Sequence, residues 1–179
     1  LQKEYLLRKN LIKSRLGDFS RVKKEDYFYE ACFCILTPQS SARQAWKGIL
    51  ELKKGDFFNK NINPVNHLKN KIRFYNNKSK YLLELKDKWN LISKKINEIK
   101  DSKELREFLV KNVKGWNYKE SSHFMRNIGF RNLAILDRHI LKNLNKLNVI
   151  QEIPKTLTKK KYLEIEEKFK DFSSKVSIP

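Results

Sequence analysis

The stretch Val113-Lys114-Gly115-Trp116-Asn117-Tyr118-Lys119-Glu120-Ser121-Ser122-His123-Phe124 decides the fold class. Upstream of it, Leu105, Phe108 and Leu109 recur at i, i+3 and i+4, the spacing of one helical face. Gly115 tolerates the positive φ of a tight turn without penalty, and Asn117 is the next most tolerant type. A second helix is expected to open near Lys119, so the segment reads helix, hairpin, helix. The amides at the start of that second helix lack intrahelical partners and carry the positive end of its dipole. They could grip a phosphate without reading a base.

The pattern holds outward from there. Phe28, Cys32 and Ile35 share a face, as do Ile140, Leu144 and Leu147, and Tyr162, Ile165, Phe169 and Phe172 form a late stripe. Asp101 or Ser102 is placed to cap a helix, Pro64 suits a first turn, and Asp137 is placed to cap the helix after it. Gly17, Lys54-Gly55-Asp56 and Gly129 read as breaks. Strand-like alternation is scarce, so the fold class is all-α.

The 179 residues carry 40 Lys+Arg against 20 Asp+Glu, a formal net charge of +20. With 40% hydrophobic residues, the chain has too much core material for a disordered basic tail. The longest charge-free stretch, Ala31 to Ala42, is 12 residues and contains Pro38, whereas a membrane-spanning helix needs roughly 20 apolar residues. The expectation is a protein without membrane attachment, in the cytoplasm with the nucleoid. Residues 27–52 are neutral overall and residues 53–100 hold 13 basic against 4 acidic residues. A buried neutral helix beside an electropositive face suits a polyanionic partner. Cys32 and Cys34, two apart in an apolar run, read as buried reduced thiols, and two cysteines are too few for an iron–sulfur cluster. No metal-ligating cluster is expected.

Two stretches make this chain resemble a known family. Val113 to Lys119 is similar to the L-x-G-[IV]-G-x-K turn of the helix-hairpin-helix DNA glycosylase superfamily, and Leu136-Asp137-Arg138-His139 to its [LIV]-D-x-H segment. Tyr118 to Gly129 resembles the Y-K-E-A-S-H-F-L-R-N-[IV]-G block of the archaeal-type 8-oxoguanine DNA glycosylase/AP lyase. Similarity extends over most of residues 28–165. It implies two helical lobes, 27–128 and 1–26 plus 129–179, with DNA across the cleft between them and the hairpin near its floor. It also implies a bifunctional enzyme of base-excision repair, acting as a monomer on double-stranded DNA with a damaged base or an abasic site. The Lys119 amine would attack C1′, the oxidised purine would leave, and a Schiff base would permit β-elimination. Asp137 would assist the amine and the cationic sugar.

Further roles follow from the resemblance. Leu36-Thr37-Pro38-Gln39-Ser40-Ser41 is similar to a turn whose glutamine fills the space of the flipped nucleotide. Arg73-Phe74-Tyr75-Asn76-Asn77-Lys78 is similar to an R-F-Y-x-x-[KR] turn, with Phe74 as a wedge and Arg73 and Lys78 on phosphates. Lys114, Gly115 and Asn117 would meet the DNA backbone. His123, one helical turn after Lys119, and His139 are expected to support the chemistry from behind. No cofactor is called for, although hairpins of this kind often hold a monovalent cation on backbone carbonyls. Asn117 departs from the family's glycine. The stretch Ser177-Ile178-Pro179 stands where the family has an aromatic-containing segment and a terminal lysine that help hold the damaged base.

Two readings from other classes stay open on the residues alone. One is a non-catalytic helix-hairpin-helix DNA-binding module in which Lys119 touches phosphate. The other is a basic RNA-packaging protein that has no need of Asp137. By residue type alone, Lys119 and Asp137 could equally form an ordinary ion pair between two helices.

Overall fold

The computed structural model describes residues 1–178. Pro179, the last residue of the closing stretch singled out above, lies outside them. The described residues form nine α-helices: α1 (Gln2–Ser20), α2 (Tyr27–Leu36), α3 (Ala42–Lys54), α4 (Pro64–Leu68), α5 (Tyr75–Glu98), α6 (Ser102–Asn112), α7 (Tyr118–Asn127), α8 (Arg138–Lys146) and α9 (Lys159–Lys175). Among them, no helix is long and apolar enough to cross a membrane.

Polar caps set where most of these helices begin. The Ser41 hydroxyl accepts from the Gln44 amide, and Asn63 accepts from Val65 ahead of Pro64 in the first turn of α4. Asp101 accepts from Glu104, Asp137 from Ile140, and Thr158 from Lys161. Each such cap satisfies an amide that the helix leaves unpaired and contributes about 1 kcal/mol. Gly17 does not break α1, contrary to expectation: the helix runs through it. A glycine in a helix costs about 1 kcal/mol relative to alanine, too little to end one of this length.

The buried side chains fall into two clusters. The larger contains Phe28, Cys32, Leu36, Ile49, Leu82, Trp89, Leu105, Phe124 and Met125. Phe28 is its aromatic hub, with the Trp89 ring at 5.3 Å and the Phe57 ring at 5.9 Å. The smaller contains Tyr118, Leu136, Leu141, Leu144, Ile150, Tyr162 and Ile165. Leu147, expected on the same face, ends α8 and is 42% exposed. Because Tyr118 belongs to the smaller cluster and Phe124 and Met125 to the larger, α7 is built into both. The α1 helix has no buried residue, but its Gln2 side chain donates to the Val176 carbonyl at the end of α9.

A buried ion pair joins α6 to α9. Arg106 donates to both oxygens of Glu166 at 2.7 Å and to Ser122 at 3.2 Å. Glu166 also accepts the Ala134 amide at 2.8 Å. The guanidinium carbon lies over the rings of both Tyr118 and Tyr162, 5.1 and 5.6 Å from their centres. Sequence reasoning missed this pair, whose partners are 60 residues apart and share no local pattern.

Candidate active site

The hairpin joining α6 to α7 occupies residues 113–117. Gly115 has φ +83, and a Cβ there would come within 2.5 Å of the Tyr81 ring, so both backbone and space require glycine. Trp116 turns inward, buried against Phe124 at 5.1 Å, so it packs the hairpin. Lys114 and Gly115 are exposed at the tip.

Asn117 does something other than supply a positive φ. Its backbone is extended, with φ −124, and its side chain caps α7. A capping box forms: Asn117 accepts from α7 amides, including Tyr118 at 2.9 Å, while Glu120 accepts the Asn117 amide at 3.2 Å. The first-turn amides expected to grip phosphate are thus largely taken within the chain. Exposed donors for a phosphate remain at Lys114 and Gly115.

Lys119 follows in the first turn of α7. Its side chain is 30% exposed and its Nζ lies 3.0 Å from Glu120 Oε1, whose own side chain is 12% exposed. The expected alternative, an ion pair with Asp137, is not the contact formed. Asp137 Oδ1 instead accepts the Ile140 amide at 2.8 Å as the cap of α8. Both charges act on a third group. His123, on α7, is pushed down to about 4 by burial first, then by the charges of Arg126 and Lys119, with Asp137 opposing. At neutral pH its imidazole is uncharged, packed edge-on against Phe33 at 5.9 Å. His139 does not join this arrangement: it is exposed in the first turn of α8, and nothing in the structure ties it to the hairpin.

The two more distant turns meet. Gln39 and the segment Arg73-Phe74-Tyr75 line one cavity of about 440 Å³, together with Gln44 and Asn70. Both Gln39 and Phe74 sit at positive φ, 55 and 56, on exposed turns. Phe74 is 50% exposed, with the Arg73 guanidinium 5.0 Å from its ring centre, so it is available as a wedge and is not core. Lys78 is the correction. It is buried, not on the surface, and its ammonium faces the Gln39 turn and not solvent. A larger cavity of about 750 Å³ lies between α1, α8 and α9 and contains neither Lys119 nor Asp137. The smaller one is not lined by them either; what marks it is that Gln39, Arg73 and Phe74, from two separate turns, share it.

Cys32 and Cys34 are free and fully buried in α2, their thiols pushed well above the usual range by burial. Among the described residues, no group of three or more His, Cys, Asp or Glu could hold a metal ion.

Comparison with known proteins bears on what this geometry serves. The family model for 8-oxoguanine DNA glycosylase matches residues 12–178. An 8-oxoguanine DNA glycosylase/AP lyase of Fusobacterium nucleatum is 48% identical over 190 residues, covering 100% of this chain and 88% of that protein. This chain belongs to the 8-oxoguanine DNA glycosylase family. A glycosylase/AP lyase of Methanocaldococcus jannaschii is 39% identical over 95% of this chain and 84% of that protein. The crystal structure of the 8-oxoguanine DNA glycosylase of that archaeon superposes with a TM-score of 0.86 at 38% identity, covering 99% of this chain and 86% of that one. Its complex with a 15mer DNA containing 8-oxoguanine superposes with a TM-score of 0.83 at 37% identity, over 95% and 84% of the two chains. The all-helical architecture here is that of the family.

Proposed function

We propose that this chain removes 8-oxoguanine from double-stranded DNA and then cleaves the abasic strand, as a base-excision repair enzyme. The observation that carries the reading is the placement of partly buried Lys119 in the first turn of α7, directly after the glycine hairpin. The lone pair of the Lys119 amine attacks C1′ as the bond to the purine breaks, and the departing base takes a proton. The sugar ring opens to a Schiff base on the amine, and loss of a C2′ proton expels the 3′ phosphate. For the attack, Lys119 must leave Glu120 and give up its proton, since an ammonium has no lone pair. Asp137 has one oxygen committed to its cap and one left for the amine's proton or the cationic sugar.

The lesion-bearing strand is held by an overall charge of +20, with Lys114 and Gly115 on its backbone and Phe74 and Gln39 at the vacated stack. His123, one helical turn along α7 and uncharged at neutral pH, adds no further positive charge to this face. The division into lobes 27–128 and 1–26 plus 129–179, a monomeric state, a place with chromosomal DNA, and a monovalent cation on the hairpin carbonyls belong to the same proposal.

Borohydride trapping on a duplex with one 8-oxoguanine opposite cytosine tests it. Wild-type protein is expected to form a covalent adduct and Lys119→Gln none, with duplex affinity largely kept. An adduct on an abasic site alone would keep the lyase and remove the lesion. No adduct on either would leave a DNA-binding module.

A further inference from the structure

Lys78 is a charged residue where a hydrophobic one would be expected. It lies in the first turn of α5, 5% exposed, beside Leu82 and Leu36 of the larger cluster. Its three ammonium hydrogens have three neutral acceptors: the Leu36 carbonyl at 2.7 Å, the Pro38 carbonyl at 2.7 Å and the Ser40 hydroxyl at 3.2 Å. All three lie on one short turn, about 40 residues away in sequence. Burying an ammonium without a counter-ion is costly, and these three acceptors offset that cost where an apolar side chain would have incurred none.

The geometry of that turn gives the charge a purpose. The Ser40 amide donates to the Thr37 carbonyl at 3.0 Å, closing a four-residue turn whose third residue is Gln39. Gln39 has φ 55, a left-handed conformation that costs a non-glycine residue roughly 1 kcal/mol. The Pro38 carbonyl belongs to the peptide unit that leads into Gln39, so its direction and φ of Gln39 are set together. A fixed donor on that oxygen holds Gln39 in its left-handed state.

We propose that Lys78 is a positioning residue for base excision, pinning the 37–40 turn so that Gln39 projects into the cavity beside Phe74, where it replaces a flipped nucleotide. This rests on the reading of Gln39 given under the proposed function. It replaces the phosphate contact expected of Lys78 from the sequence. Burial, and secondarily the charge of Lys119, lower Lys78 to about 8, which still leaves it mostly charged at neutral pH with all three donors in use.

A double-mutant cycle on single-turnover excision of 8-oxoguanine opposite cytosine tests the assignment, with duplex affinity and thermal unfolding measured alongside. Gln39→Ala and Lys78→Met are each expected to slow excision about tenfold, and the double variant to be no slower than either, because both act at one place. Affinity for undamaged duplex and its salt dependence should hardly change. Lys78→Met at the wild-type rate, losses that multiply in the double variant, or a salt slope reduced by about one ion would each overturn the proposal. If Gln39→Ala excises like wild type, the underlying reading of Gln39 fails and the proposal falls with it. Should Lys78→Met not unfold cooperatively, Ser40→Ala enters the same cycle, removing one acceptor and leaving the core alone. Its expected effect is about threefold and non-additive with Gln39→Ala, and a wild-type rate or multiplying losses would overturn the proposal.

Discussion

The Arg106 guanidinium and the Glu166 carboxylate face each other through two 2.7 Å hydrogen bonds, out of water, between α6 and α9. Removing one partner strands the other's charge. Arg106→Leu and Glu166→Gln are each expected to cost about 3–5 kcal/mol in chemical denaturation. Arg106→Met with Glu166→Leu should cost far less than either single change, with the Ala134 amide left unpaired as the main residue of the damage. A double variant as unstable as the sum of the singles would refute this account.

The observed cap and the proposed catalytic role of Asp137 can be separated by substitution. Asparagine caps a helix as well as aspartate does, so Asp137→Asn should keep the thermal midpoint near wild type. Its excision rate should nonetheless fall by about 100-fold or more, since the anionic charge is lost. Asp137→Ala should lose the rate and also about 1 kcal/mol of stability. Melting curves and single-turnover rates on the two variants check both halves.

Gly115→Ala meets two obstacles at once. The φ of +83 disfavours any side chain, and the new Cβ would press the Tyr81 ring. A loss of about 1–3 kcal/mol is expected, with weaker duplex binding because the hairpin tip shifts. Adding Tyr81→Ala should return only the steric part. Urea titrations of the single and double variants against Tyr81→Ala alone read the difference.

His123 gives the fold an acid-sensitive point. Its folded value, about 4, lies below the usual 6.5, chiefly because it is buried. The unfolded chain therefore takes up a proton that the folded chain refuses. No penalty exists above the unfolded value; below it the penalty grows as pH falls, reaching about 3 kcal/mol near the folded value. Thermal midpoints between pH 7 and pH 4 should drop, and His123→Gln should flatten that slope whatever its effect on the midpoint at pH 7. Equal slopes would assign the acid sensitivity elsewhere.

Local signals made much of the molecule readable from sequence. Asp101, Pro64 and Asp137 stand where their chemistry places them, because caps and first turns depend on neighbours within four residues. The turn at Gly115 was legible for the same reason. What was not legible depends on distant partners. Lys78 reads as a surface cation in a basic segment, and only the arrival of residues 36–40 over it makes it a buried donor. Arg106 and Glu166 each look like solvated helix positions until α6 and α9 meet. Asn117 was misread within the hairpin itself, where tolerance of positive φ and capping ability belong to the same side chain and the second prevails. The Lys119–Glu120 contact joins sequence neighbours, but adjacent helical residues do not face each other as a rule, so spacing alone does not announce it.

The sharing of α7 between the two clusters has a consequence for damaged copies of the protein. Lys119, the proposed nucleophile, rides one residue after Tyr118, on a strut anchored at both ends. When either anchor slips, the amine loses its alignment, while the excess of lysine on the surface is untouched. On the proposed assignment of Lys119, a copy that has begun to melt becomes an inert polycation, expected to hold DNA by charge but no longer to cleave it.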